Sequence, residues 1–174
     1  AEAIQAFDRA IALAPDRASL HCNQGNLWQQ QQTDGRQQEA IQCYERALER
    51  DPQCLPARQS LGYLLSNHGR TDEAVAHYNA VLESDPSPLN RLLLASVLPV
   101  IYDSVEEIET WRSRMIRQLD AMIADGVTVD TTRQQVPTGF YTAYQGQNDV
   151  EVMRRVNQVC AGEERVPRAA GPLK

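Results

Sequence analysis

Side chains able to move a proton, attack a carbon or hold a metal are thinly spread along this sequence. The four cysteines, Cys22, Cys43, Cys54 and Cys160, form no C-x-x-C pair, and none stands at metal-ligand spacing from a histidine. Isolated in this way, they read as free thiols of a cytoplasmic protein, packed as small hydrophobes between helices. His21, His68 and His77 fall one to an element, so no pair is set up as metal ligands or as a general base. Paired carboxylates could share acid and base work. Asp72 with Glu73 and Glu106 with Glu107 stand instead where helices begin, and the positive end of the helix dipole accounts for them. The strings G-x-x-x-x-G-K, G-x-G-x-x-G, H-E-x-x-H and G-x-S-x-G, which cradle phosphate, bind zinc or present a nucleophilic serine, do not occur. The expectation is no catalytic residue, no metal and no cofactor.

The elements that position these side chains are repeated. Residues 40–52 (AIQCYERALERDP) have counterparts at 3–15 (AIQAFDRAIALAP) and 74–86 (AVAHYNAVLESDP). Aligned, the apolar columns are Ala3, Ala40 and Ala74, then Ile4, Ile41 and Val75. Phe7, Tyr44 and Tyr78 follow, then Ala10, Ala47 and Val81, then Ile11, Leu48 and Leu82. Offsets of 0, 1, 4, 7 and 8 form the stripe that one face of a helix buries, and the proline closing each copy cannot continue the helix. The copies start 37 and 34 residues apart, a period that belongs to stacked helix pairs rather than to one globular core. Ahead of them, Ala18 to Gln32 and Leu55 to Asn67 read as a first helix in each unit, with Gly25 and Gly62 allowing close approach. Gly35 and Gly69, in the strings TDGR and NHGR, mark the turns between paired helices.

Composition narrows the partners. A net charge of −6 and a pI near 5.1 disfavour a nucleic-acid backbone, which demands clustered lysine and arginine. The repeats are the acidic half: residues 1–90 hold 7 arginines against 12 acidic residues, and the remainder 10 basic against 11 acidic. No apolar run of about 18 residues exists to span a membrane. The chain opens inside the second helix of a pair, which reads as a fragment of a longer protein.

Beyond the third copy, Ser87 and Pro88 open a helix carrying Leu89, Leu92, Leu93, Ser96 and Val97, stopped by Pro99. Ser104 and Glu107 form a capping box before an amphipathic helix from Val105 to Ala124, with Val105, Ile108, Trp111, Met115, Leu119 and Met122 on one stripe. Gly126 ends it. Residues 127–137 read as a linker, 138–145 as two helical turns, and Asp149 to about Cys160 as a helix behind an Asn148 and Glu151 capping box. The tail from 161 to 174 has no periodicity and reads as disordered or a linker.

The unit resembles the tetratricopeptide repeat, in which a small residue in the first helix meets an alanine, aromatic, alanine series closed by proline. Gly25, Ala40, Tyr44, Ala47 and Pro52 fill all five positions once a three-residue insertion in QQQQTDG is allowed. Gly62, Ala74, Tyr78 and Pro86 fill four in the next unit, with Val81 in the fifth. His21 and Arg58 stand where that family prefers tryptophan, and Gln24 where it has leucine. The resemblance implies an all-α superhelix, with a partial unit at 1–17, full units at 18–54 and 55–88, and a half unit at 89–98. A helical cap or junction follows at 99–160.

In that family the first helices line a concave groove that binds extended polypeptide. The resemblance places there Ser19, Cys22, Asn23, Asn26, Gln29 and Gln30 from one unit, and Pro56, Gln59, Ser60, Tyr63, Ser66 and Asn67 from the next. The set is neutral and rich in amides, and a carboxamide offers a donor and an acceptor to match one peptide unit. No lysine or arginine occupies these positions, which disfavours the clamp on a C-terminal carboxylate used by chaperone adaptors of this type.

The string LLLASVLPVIYDSVEEIETWRSRM, with FYTAYQGQND after it, resembles the junction between repeats and catalytic part in bacterial SPINDLY-like relatives of the O-linked N-acetylglucosamine transferases. That implies a UDP-sugar-dependent glycosyltransferase domain following in the same chain, with Asn23 at a position of the asparagine ladder such enzymes use on substrate polypeptides and Ser60 in place of asparagine at that position of the next unit. No catalytic residue of that family has a counterpart here, so the fragment itself is expected not to be an enzyme. The alternative is a stand-alone adaptor or scaffold for another protein complex, its stack closed by the helical cap.

Overall fold

The computed structural model describes residues 2–31, 34–131, 142 and 145–161. Among them are eight α-helices and no strand: α1 (Glu2–Leu13), α2 (Ala18–Gln29), α3 (Asp34–Arg50), α4 (Leu55–Asn67), α5 (Thr71–Ser84), α6 (Pro88–Ala95), α7 (Val105–Ala124) and α8 (Val150–Ala161). They divide into two compact units, Ala1–Asp85 and Pro86–Lys174.

In the first unit α2 packs on α3 and α4 on α5, the pairs join through α3 and α4, and α1 lies on α2. The repeated columns explain the pairing. Ala40, Tyr44 and Ala47 are fully buried, as are Ala74 and Val81, with Tyr78 nearly so. Small residues bring the paired helices together and the aromatic ring fills the space between them. In the first copy Phe7 and Ala10 are only half-buried and Ala3 is exposed.

Turn chemistry sets the helix ends. Gly69 adopts φ +74°, and the Arg70 N–H donates to the Leu65 carbonyl at 2.9 Å, the left-handed cap that glycine alone enters without strain. Gly126 closes α7 the same way at φ +66°, with the Val127 N–H donating to Met122 at 2.9 Å. Two expectations shift. The helix expected to run to Gln32 stops at Gln29, and Gly35, expected in the turn, lies in the first turn of α3. Backbone N–H groups there have no intrahelical partner to lose, so glycine is tolerated.

The two departures from the tryptophan preference share one task. His21 Nε2 donates to the Pro15 carbonyl at 3.0 Å, and Arg58 donates to the Pro52 carbonyl from Nε at 2.9 Å and from a terminal nitrogen at 2.6 Å. Each binds the carbonyl of the proline ending the preceding copy. The expected leucine position holds Gln24, which is buried. Its amide N–H donates to Asp8 Oδ1 at 2.6 Å and its oxygen accepts from the Cys43 thiol at 3.4 Å, tying α1, α2 and α3 with paired polar groups.

The second unit packs α6 and α8 against α7. Leu92, Ala95 and Leu98 meet Met115, Leu119 and Met122 of the α7 stripe, with Val152 and Val159 from α8. Val105 is the exception, 58% exposed at the start of the stripe. Ser104 Oγ accepts from the Glu107 N–H at 3.1 Å, while Glu107 Oε2 reaches back to the Asp103 N–H at 2.7 Å, so the capping box forms with its return bond one residue early. Ser87 occupies the N-cap of α6 without a side-chain cap bond, and α6 ends at Ala95, before Pro99. Val129, expected in a linker, is buried and its N–H donates to the Val159 carbonyl at 2.9 Å. The two helical turns expected over 138–145 lie mostly outside the described residues, and the tail from 162 onward lies wholly outside them.

Candidate peptide-binding face of α2 and α4

The helix period sets the amides in rows: Asn23 and Asn26 of α2 and Gln30 at its C-cap follow one another at spacings of three and four. Ser19, Asn23, Asn26 and Gln30 are exposed and Gln29 is half-buried. On α4, Tyr63 is 50% exposed, Gln59, Ser60, Ser66 and Asn67 are half-buried, and Pro56 is exposed. Cys22 is different: at 4% exposure its thiol sits inside the helix packing, and burial, helped by the Cys54 thiol, pushes its pKa up to about 11.

The residue that organises this face is one the sequence assigns to the core. Tyr44 of α3 has no exposed surface, yet its hydroxyl reaches between the two helices, 2.7 Å from Asn26 Oδ1 and 2.7 Å from Gln29 Oε1, with the Ser60 hydroxyl also bonded to it. A phenol has one proton to donate, so one amide accepts it and the other serves by turning its NH2 toward the phenolic oxygen. Burial raises the phenol to about 12, keeping it the neutral donor. The effect is to fix two groove amides and one hydroxyl from beneath. A tyrosine rather than phenylalanine at the aromatic position, with amides on the helix paired with it, is the signal that could have found it.

No group of three metal-binding side chains occurs among the described residues. The four thiols are unpaired by disulfides, and burial raises Cys43 to about 11. His77 is pushed down by burial and by nearby Arg58. No described helix is long and apolar enough to cross a membrane.

Paired helices at this period, with small and aromatic residues interlocked, define a class. Residues 1–53 match one tetratricopeptide-repeat family model and residues 33–97 another, so this stretch consists of tetratricopeptide repeats, a module of protein interaction. Among solved structures, a thermophilic tetratricopeptide-repeat protein of Thermus thermophilus superimposes with a TM-score of 0.52 at 16% identity, covering 70% of this chain and 63% of that one. That likeness is one of fold, and this chain spans less than two thirds of its length. No curated protein matches.

Proposed function

We propose that the α2 and α4 face binds an extended, uncharged stretch of another polypeptide, with Asn23, Asn26, Gln29, Gln30, Gln59, Ser60, Tyr63, Ser66, Asn67 and Ser19 as its contacts and Cys22 packed beneath them. The observation that carries this reading is the Tyr44 hydroxyl held against Asn26 and Gln29. Ordering side-chain amides before a ligand arrives lowers the entropy lost on binding. The amide that accepts the phenol proton presents its N–H groups outward, suited to a peptide carbonyl, the one turned the other way presents its oxygen, suited to a peptide N–H, and Tyr63 offers a flat apolar surface beside them. The test is fluorescence anisotropy with a library of labelled neutral peptides. Binding that Asn23→Ala with Tyr63→Ala weakens about tenfold or more supports the face, on the scale of truncated interface anchors. Binding untouched by that pair refutes it.

The same chain is proposed to be the non-catalytic, cytoplasmic part of a SPINDLY-like protein glycosyltransferase that presents substrate polypeptides to a UDP-sugar site in a following domain. What supports this is the resemblance of residues 91–160 to such a junction. Sequencing the coding region past Lys174 tests it: a sugar-nucleotide-binding fold agrees, whereas an immediate stop codon would leave the adaptor reading in its place.

A further inference from the structure

Two of the four thiols meet across neighbouring helices. Cys22 lies inside α2 at 4% exposure, and Cys54 stands at the N-cap of α4, half-buried and making no side-chain cap bond. The Cys22 thiol is hydrogen-bonded to the Cys54 sulfur. Both ends of this contact are held by backbone. Cys22 is fixed by the helix around it, and α2 touches α4 directly. The Cys54 N–H donates to the Asp51 carbonyl at 3.0 Å, and the Cys54 carbonyl accepts from the Arg58 N–H at 3.1 Å. The Arg58 guanidinium returns to the Pro52 carbonyl, so the turn carrying Cys54 is tied on both sides. The other two thiols are placed differently. Cys43 is buried and donates to Gln24 Oε1, and Cys160 belongs to the second unit.

We propose that Cys22 and Cys54 form an oxidation site, at which hydrogen peroxide joins the two sulfurs in a disulfide that ties α2 to the start of α4. Cys54 is the more exposed of the pair, so it reacts first. Its sulfur takes one peroxide oxygen, the S–O bond forming as the O–O bond breaks, and the leaving hydroxide carries off the thiol proton as water. The Cys22 sulfur then attacks the sulfur of the Cys54 sulfenic acid. The S–S bond forms, the S–O bond breaks, and the Cys22 proton leaves with the hydroxyl as a second water. The two thiols together give up two electrons and two protons, and the peroxide takes them.

Burial holds Cys22 protonated, its pKa pushed up to about 11, which makes it a poor first nucleophile. Its advantage is position: a sulfur already in contact with the sulfenic acid reacts within the molecule, ahead of a second peroxide from solution. None of this depends on what the neutral-peptide face of α2 and α4 binds, so either proposal can fail alone.

The test treats the full chain with a small molar excess of hydrogen peroxide, unfolds it in iodoacetamide and digests it without reductant. Mass spectrometry should show the Cys22 and Cys54 peptides joined and two hydrogens lighter than the separate pair, with Cys43 and Cys160 alkylated. The same treatment in concentrated urea should spread the joined peptides over the other pairings. Cys22→Ser removes the resolving sulfur, and dimedone, which captures sulfenic acids, should then label Cys54 at least about tenfold more than in the parent. Cys54→Ser keeps a favourable N-cap for α4 and should give no joined peptide, with Cys22 recovered alkylated. Joined peptides spread over all pairings in the folded chain would overturn the proposal. So would Cys54 recovered as sulfinic acid beside an alkylated Cys22, or both thiols recovered unoxidised.

Discussion

Gly25 lies so close to the Tyr44 ring that a Cβ built on it would stand 2.7 Å from Cε1 and 2.9 Å from Cδ1. The ring cannot retreat, because it is fully buried and its hydroxyl is bonded to Asn26 and Gln29. One contact thus sets both the helix spacing and the height at which the phenol meets the amides, linking a packing requirement to the candidate site.

Gly25→Ala should therefore destabilise the protein even though alanine favours helix over glycine by about 1 kcal/mol. Overpacking of about 2–3 kcal/mol outweighs that gain, for a net loss of about 1–2 kcal/mol in urea unfolding. Gly62→Ala is the control. Its nearest ring atoms on Tyr78 are 3.1 and 3.2 Å away, a clash that a small shift relieves, so the two terms should cancel to within about 0.5 kcal/mol. Equal losses at both positions would show that helix spacing, rather than the pinned ring, sets the cost.

Tyr44→Phe keeps the ring and deletes the hydroxyl. The expected loss is about 1 kcal/mol, and the side-chain amide resonances of Asn26 and Gln29 should move toward free-amide positions while those of Asn67 stay. If the neutral-peptide face is correct, affinity falls with it although no contact residue has changed.

Alkali should unfold the repeats early. Burial raises Cys22 and Cys43 from 9.0 to about 11 and Tyr44 from 10.0 to about 12, and raises Tyr78 as well. Each group is neutral in the fold and ionises more easily when unfolded. The stability they contribute is complete below pH 9 and is lost as pH climbs through 11 to 12. Urea midpoints measured from pH 8 upward should begin to fall near pH 9 in the parent. In Cys22→Ala with Cys43→Ala the fall of the repeat unit should begin near pH 10, where Tyr44 and Tyr78 are what remains of this set in the repeats.

How much of this was legible follows from what each residue has to satisfy. The Tyr44 and Tyr78 columns, the prolines and the α7 stripe announce themselves because burial imposes a period that any reader can count. The ends of α2 and α3 escaped, since QQQQTDG is polar throughout and gives no apolar edge to stop at. Val129 was missed for the opposite reason: one buried residue in a short irregular stretch has no periodicity. The Tyr44 hydroxyl and the Gln24 bridge from Asp8 to Cys43 depend on distances between helices, which a linear pattern does not carry. By residue type, His21 and Arg58 count against tight packing of α2 and α4, yet both are spent on proline carbonyls.

That shared use predicts unequal costs. His21 is 6% exposed, so His21→Ala strands the Pro15 carbonyl beside a small cavity and should cost about 1–2 kcal/mol. The bonds from Arg58 to Pro52 lie at the surface, where water replaces the guanidinium, and Arg58→Ala should cost about 0.5 kcal/mol. Denaturant midpoints of the two variants provide the comparison, and a larger loss from Arg58 would overturn the ordering.

In the second unit, Arg112 joins α7 to the segment leading into α8. Its guanidinium, on a side chain only 11% exposed, donates to Asp149 Oδ1 at 2.7 Å, Gln145 Oε1 at 2.8 Å and the Asn148 carbonyl at 2.9 Å. Gln145 in turn donates to the Tyr102 hydroxyl at 2.5 Å. Removing the charge while Asp149 stays largely buried leaves a carboxylate without its partner, so Arg112→Ala should cost about 2–4 kcal/mol. Asp149→Asn, which keeps an acceptor for the guanidinium, should cost about 1–2 kcal/mol. Combined, they should cost less than their sum by about 1–2 kcal/mol, because the second change removes the charge that the first leaves stranded. Arg112→Lys should recover little, since one ammonium cannot serve three acceptors spread along a planar fork. Additive losses in the double variant would mean that Arg112 acts through its packing and its bonds to Gln145 and Asn148 and that the ion pair does not hold α8 in place.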